Sequence, residues 1–183
     1  MDRIEPSLAF VDSPGSDLRQ GDICLVSAFP RWSLRDAADV MTVGKGSVTE
    51  DKDLTSLQLP VWDRVMQYDG DYLVAICSHD CELENPRARV GILIAPLLEI
   101  PMSHPKHAEI MASGEPANGQ YSYIHQFPLY LATASAVVEF SSIIHLAGAE
   151  DAKDTLTQNK LFEMADLTRR DFKRKLGVFL SRE

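Results

Sequence analysis

A small, mainly β domain closed by a C-terminal helical segment is what this sequence predicts, and three observations predict it. Short apolar runs rich in β-branched and aromatic residues follow one another from Ile23 to Leu146, with turn residues between them. They lack the regular intervening helices that a parallel sheet requires, so neighbouring strands are expected to pair antiparallel and curl into a small barrel. After Gly148 the apolar period lengthens to three and four residues, at Leu161, Phe162, Ala165, Phe172, Leu176, Phe179 and Leu180.

Taken in order, residues 1–20 read as a loose arm, with Leu8 to Val11 as its one short strand. Gly21-Asp22 turns the chain into a buried strand from Ile23 to Ala28. Residues 31–56 are polar, carry Gly44 and Gly46, and read as a mobile loop with a helical turn at Leu34 to Met41. Leu57 to Gln67 has β character limited by Pro60. Tyr68-Asp69-Gly70-Asp71 is a turn signal, predicting a hairpin between Val61–Gln67 and Tyr72–Cys77. A second hairpin joins Tyr72–Cys77 to Val90–Leu97 through Glu84-Asn85-Pro86.

Pro101 to Gly114 predicts a short helix capped by Ser103, with Pro105 in its first turn and Gly114 as its stop. Gln120–Phe127 and Leu129–Ala132 read as strands broken by Pro128, followed by strands at Ala136–Phe140 and Ile143–Leu146. Two helices then complete the chain. The second is entered through Thr168 and Asp171, a near-match to a capping box, and is weakened at Gly177 by ~1 kcal/mol relative to Ala. The domain plan is therefore an arm at 1–20, a β-barrel domain at 21–150 and a helical segment at 151–183.

Bulk properties bound the function. A chain of 183 residues buries enough surface to fold without disulfide or metal. No apolar run approaches the ~18 residues of a membrane span, and the N-terminus lacks the pattern of a secretory leader, so a cytoplasmic location without membrane contact is expected. The three cysteines, Cys24, Cys77 and Cys81, are too few for a disulfide framework, and Cys24 reads as a buried thiol. A net charge of −9 disfavours nucleic-acid binding through a general positive field. Against it stands Thr168 to Lys175, with five bases and one acid, which is either a local basic face or a solvated helix surface.

Chemistry concentrates in Cys77-Ser78-His79-Asp80-Cys81-Glu82. On an extended strand Cys77, His79 and Cys81 share a face and resemble a zinc ligand set completed by His125 or His145. Same-face neighbours spread ~6.5–7 Å apart, too wide for a tetrahedral ion, so no metal is assigned. Alternatively Cys81, His79 and Asp80 are the residue types of a thiol nucleophile, base and orienting acid; because sequence neighbours rarely point at one another, the base is expected from His125 or His145 on another strand rather than from His79. A third reading is structural: Asp80 and Glu82 bond amides of the Asn85–Arg89 loop or pair with Arg87 or Arg89, and Cys81 is a small residue buried beneath a tight turn. His104 and His107, three apart, read as an exposed helix face, and Trp32 and Trp62 as core aromatics that could also stack on a base. No cofactor is implied.

Ser78-His79-Asp80-Cys81-Glu82, followed by Arg89-Val90-Gly91-Ile92-Leu93-Ile94-Ala95-Pro96, resembles a group of uncharacterised bacterial proteins that share an S/T-H-D-C-D/E motif, a strand ending in Ala-Pro and a terminal helix. More distantly, the Gly21-Asp22-Ile23 opening and the order of elements resemble the MazF/PemK-like toxins. That resemblance covers about half the chain. It implies an SH3-like antiparallel barrel, a homodimer, and single-stranded RNA or a protein as partner in a toxin–antitoxin or mobile-element setting. Arg87 or Arg89 would stand where the family has its Arg. Leu97-Leu98 stands where the family has a hydroxyl residue, so the barrel is implied more strongly than the endoribonuclease. The candidate site is accordingly Cys81, His79 and Asp80 for chemistry, with Ser78, Glu82, Arg87, Arg89, Arg169, Arg170 and Lys173 for binding. The readings are a nucleic-acid- or protein-binding module, an endoribonuclease or Cys81-dependent enzyme, and a metal- or redox-sensing domain.

Overall fold

The computed structural model describes residues 9–32, 41–44, 47–50, 65–84, 91–131, 134–146 and 149–182. Its strands are β1 (Ile23–Trp32), β2 (Met41–Gly44), β3 (Ser47–Glu50), β4 (Val65–Ile76), β5 (Ile92–Glu99), β6 (Gln126–Tyr130), β7 (Ser135–Glu139), β8 (Ile144–Leu146) and β9 (Lys160–Phe162). Its helices are α1 (Asp80–Glu84), α2 (His107–Met111), α3 (Ala149–Gln158) and α4 (Asp166–Leu180). The chain divides into two compact units, Met1–Leu25 with Leu73–Glu183, and Val26–Tyr72.

In the larger unit the strand order is β9-β1-β4-β5-β7-β6, with β8 also beside β5. β4 and β5 pair antiparallel from Val74 opposite Pro96 to Ile76 opposite Ile94, the hairpin expected of the two apolar runs. β7 and β8 both run antiparallel to β5, with Val138 opposite Leu97 and Ile144 opposite Ile94. The extra residues on the β7–β8 side are taken up by a 3₁₀ turn at Phe140–Ser142. Glu139 pins that turn by accepting from the Ser141 hydroxyl at 2.6 Å and the Ser141 amide at 3.3 Å. An insertion of this kind bends the strand that carries it, and the sheet curls there.

The concave face is filled from α4. Phe172 and Leu176 pack with Ile23, Ala75, Cys77, Ala95, Phe127, Leu129, Val138, Phe140 and Met164. The Phe172 ring meets Phe127 and Phe140 edge-on, at 5.3 and 5.5 Å between centroids. Each such side chain contributes roughly 1.5–3 kcal/mol by leaving water. The predicted class, mainly β and antiparallel with a C-terminal helix in the manner of a small SH3-like barrel, is the observed one.

Two glycines are dictated by the fold. Gly21 takes φ +91°, and a side chain there would crowd Met164 and Phe172, so the Gly-Asp-Ile opening is a packing requirement. At Gly91 a Cβ would run into the Leu146 carbonyl and the His145 ring. Ahead of Gly21, the Val11 amide donates to the Glu163 carbonyl at 3.0 Å and the Ala165 amide to the Ala9 carbonyl at 2.9 Å. The predicted short strand therefore pairs with the segment between β9 and α4.

The smaller unit holds β2 and β3 as an antiparallel hairpin, from Met41 opposite Glu50 to Gly44 opposite Ser47, inside the stretch read as a loop. Beside it Val43 of β2 lies parallel to Tyr68 of β4. That pairing overrides the turn signal at Tyr68–Asp71, and β4 runs straight through it. The expectations at Leu34–Val40 and at Leu57–Arg64, Trp62 included, lie outside the described residues, as does the Trp32 side chain.

Five further expectations are corrected. Residues 120–125 are not a strand: Asn118 and Gly119, at φ 52° and 77°, make a turn closed by the Ala117–Gln120 bridge. Pro128 does not break β6, because β6 is an outer strand where a missing N–H costs no ladder bond. α2 has only five residues, His107–Met111; Lys106 occupies its N-cap without a side-chain bond, and Ser103 does not cap it. Leu161 and Phe162 belong to β9 rather than to a helix, since Ile23 of β1 claims Phe162 as its partner. α4 starts at Asp166 behind Ala165, so Thr168 lies buried within it and forms no capping box.

Candidate functional site

The loaded segment leaves β4 at Cys77 and turns into α1, and each side chain in it has a distinct position. Cys77 points into the core, and burial pushes its thiol far above the ordinary range. Ser78, also buried, accepts from the Leu93 amide at 2.9 Å and so clips the turn to β5. His79 occupies the position before α1. Its Nδ1 accepts from the Cys81 amide at 3.3 Å, while Glu82 Oε2 accepts from the His79 amide at 3.0 Å. This is the reciprocal bonding of a capping box, with an imidazole in the place of the usual hydroxyl. The far end of α1 is held by Lys153, whose Nζ donates to the Leu83 carbonyl at 2.6 Å.

Asp80 faces inward. It accepts from the Gln20 amide at 2.7 Å and from Lys173 Nζ of α4 at 2.6 Å, while Gln20 Nε2 donates to the Cys77 carbonyl at 2.7 Å. Partial burial raises the Asp80 carboxyl, but the bonds from Lys173 and Gln20 outweigh it, and the group sits below the usual range. Cys81 is exposed, and its Sγ lies 3.1 Å from His79 Nδ1. His125 and His145 are not its partners; the imidazole comes from two residues away, because the α1 turn folds the segment back on itself.

This geometry revises the sequence readings. Cys77 is buried and Cys81 exposed, so the shared face drawn for a zinc set is not formed. Among the described residues no group of three or more His, Cys, Asp or Glu is placed to hold a metal ion. Asp80 does not orient His79, because it is turned to Lys173 and Gln20. Asp80 and Glu82 do bond backbone amides, those of Gln20 and His79; the Asn85–Arg89 loop, with Arg87 and Arg89, lies outside the described residues.

The basic run on α4 is spent inside the molecule. Arg169, with a side chain 4% exposed, donates to the Gln20 carbonyl at 2.8 Å and the Met164 carbonyl at 3.1 Å, and pairs with Asp22 at 3.1 Å and Glu163 at 3.2 Å. Lys160 joins the same carboxylates at 2.8 and 2.9 Å. Burial pushes the Asp22 carboxyl up against the pull of these cations. Burial acts likewise on Glu163, but Lys160 and the Gly15 amide prevail and hold it low. Lys173 is taken by Asp80, and Arg174 Nε donates to the Tyr121 hydroxyl at 2.7 Å. Lys175, completely buried, donates to the carbonyl and hydroxyl of Ser113. Arg170, 70% exposed beside Asp171, and Arg174, 52% exposed, keep solvated heads.

The sequence reading missed Gln20, Asp22, Lys160 and Glu163. An acid directly before a buried strand, at Asp22, was the available signal; the partner bases looked like ordinary surface charge. Compared with known proteins, the chain matches no family model, no curated protein and no solved structure. No helix among the described residues is long and apolar enough to cross a membrane.

Proposed function

We propose that this chain is a MazF/PemK-like barrel whose working group is the Cys81 thiol, used in Cys-dependent chemistry with His79 as its base. The observation that carries the proposal is the 3.1 Å contact between Cys81 Sγ and His79 Nδ1 at an exposed position. The surrounding motif adds support. Ser78, His79, Asp80 and Glu82 each make a bond that holds the turn, whereas among the described residues the Cys81 side chain bonds the imidazole. In this reading the thiol passes its proton to Nδ1, and the thiolate bonds to an electrophilic carbon of the partner as that carbon's leaving group departs with the bonding pair and takes the proton back from Nδ1. The amide of Cys81 also donates to Nδ1, so in the neutral imidazole the ring proton sits on Nε2, and the thiol proton reaches Nδ1 by displacing that amide bond.

A nucleic-acid- or protein-binding module is the second reading, favoured by the order of elements from Gly21 through the terminal helix. Its RNA form has lost much of its motivation, since four of the five bases on α4 serve internal partners.

Alkylation by iodoacetamide at pH 7, with the site of reaction read by peptide mass, tests the thiol proposal. Cys81 should react first, and His79→Gln should slow it severalfold. Equal rates in the two proteins would end the proposal. Binding of labelled single-stranded RNA over a salt series tests the other reading, and salt-sensitive affinity at low ionic strength would restore it.

A further inference from the structure

We infer that the terminal helix sets the reactivity of Cys81 through Lys173, with Asp80 as the positioning residue between them. The inference rests on the thiol reading above and adds the regulation of that site.

α1 has five residues, Asp80–Glu84, and an isolated helix of that length does not hold its own shape in water. Its capping box satisfies amides but does not fix the helix to the sheet. Among the described residues, the buried Leu83 side chain and three polar contacts do that. Ser78 clips the chain to β5 just before the turn, and Lys153 holds the last carbonyl. The third is Asp80, which stands between His79 and Cys81 and points inward while they face solvent. One carboxylate oxygen is bound to the Gln20 amide and the other to Lys173. Both oxygens are thus committed to groups outside α1, one on the segment before β1 and one on α4.

The imidazole–thiol contact depends on that anchorage. Nδ1 and Sγ belong to side chains two residues apart, and their approach is set by the backbone of the intervening residue, Asp80. A displacement of ~1 Å at this point removes a 3.1 Å contact as a hydrogen bond. Lys173 has a side chain 32% exposed and Asp80 one 25% exposed, so the ion pair is reachable from solvent and can be broken without opening the core. Phe172 and Leu176, which hold α4 to the sheet, flank Lys173 in sequence and do not depend on it. Anything that withdraws Lys173, such as a partner carboxylate competing for its ammonium, would release Asp80 and loosen the pair at Cys81.

The buried thiols provide an internal control. Cys24 and Cys77 are sealed in the folded protein, so they become labelled only when the core opens. Iodoacetamide labelling resolved by site is the experiment, applied to the full chain and to His79→Gln, Lys173→Met, Asp80→Asn and Lys173→Arg. Lys173→Met and Asp80→Asn should each slow Cys81 by roughly threefold or more, and give its rate the pH dependence seen in His79→Gln. Cys24 and Cys77 should stay unlabelled, and Lys173→Arg should keep most of the original rate. If His79→Gln slows Cys81 and Lys173→Met and Asp80→Asn do not, the inference is overturned while the thiol reading stands. If His79→Gln itself changes nothing, the thiol reading fails. If Lys173→Met slows Cys81 only together with labelling of Cys77, its effect is general loosening and the inference is likewise overturned.

Discussion

Replacing Arg169 by Met separates the structural from the nucleic-acid role of the basic helix. The guanidinium is 4% exposed and reaches two carboxylates and two backbone carbonyls, at 2.8 to 3.2 Å. Methionine fills much of the same volume and supplies none of those bonds. Asp22, fully buried, would be left to Lys160 and the Arg19 amide, with one carboxylate oxygen stripped of its partner, and the Gln20 and Met164 carbonyls would each lose a donor. Removing one partner from a buried ion pair costs about 3–5 kcal/mol, because the remaining charge stays out of water. For a domain of this size, with about 2–4 °C for each kcal/mol, the midpoint of thermal unfolding should fall by roughly 6–20 °C. Urea denaturation followed by circular dichroism gives the free energy directly. A loss below about 1 kcal/mol would refute the claim that Arg169 is a structural cation. Had it served instead to meet phosphate, the same change would weaken RNA binding and spare stability.

Other consequences concern α4 and its buried lysine. Desolvation lowers Lys175 from its ordinary 10.5 to about 8, so between those values the unfolded chain binds a proton that the folded chain does not. Stability should therefore rise with pH across that window, by on the order of 2–3 kcal/mol. The buried thiols oppose it: burial raises Cys24 to about 12, and the unfolded thiol ionises first. The difference between wild type and Lys175→Met isolates the lysine, and a difference independent of pH from 8 to 10.5 would contradict the assignment. Gly177 lies within α4 with open space where a Cβ would stand. Gly177→Ala should stabilise by about 0.5–1 kcal/mol in urea denaturation, and destabilisation would show an unrecognised constraint there.

Much of the sheet was legible because its strands are apolar runs between breakers: Ile23 onward, Leu73–Ile76 with Ile92–Pro96, and Ala136–Glu139 with Ile144–Leu146. Phe172 and Leu176 of α4 were legible from their helical spacing. Where the reading failed, a tertiary partner had overridden a local preference. Tyr68–Asp71 has turn chemistry, yet Val43 pairs with Tyr68 and draws the segment into a strand. Leu161 and Phe162 fit a helical period, yet β1 takes them as an edge strand.

At the candidate site, composition singled out the segment but not its geometry. A capping box with His79 in place of Ser or Thr has no standard sequence signature, so the turn that brings Nδ1 to Sγ was invisible. The basic run from Arg169 to Lys175 read as a surface because its partners, Asp22, Asp80, Ser113 and Tyr121, are scattered from the chain's beginning to its middle. Charge in sequence says nothing about how far away its counter-charge lies. Only the packed helix shows that Arg169 and Lys175 face inward and that Lys173 is held by Asp80.

The most direct test of the account compares Cys81 with a small free thiol, such as glutathione, in reaction with iodoacetamide at pH 7 and 25 °C. A thiol activated by the His79 imidazole should react severalfold faster than the free thiol, at Cys81 alone, while Cys24 and Cys77 remain protected. A rate no greater than that of glutathione would contradict the central claim, leaving His79 as a helix cap and Cys81 as a bystander.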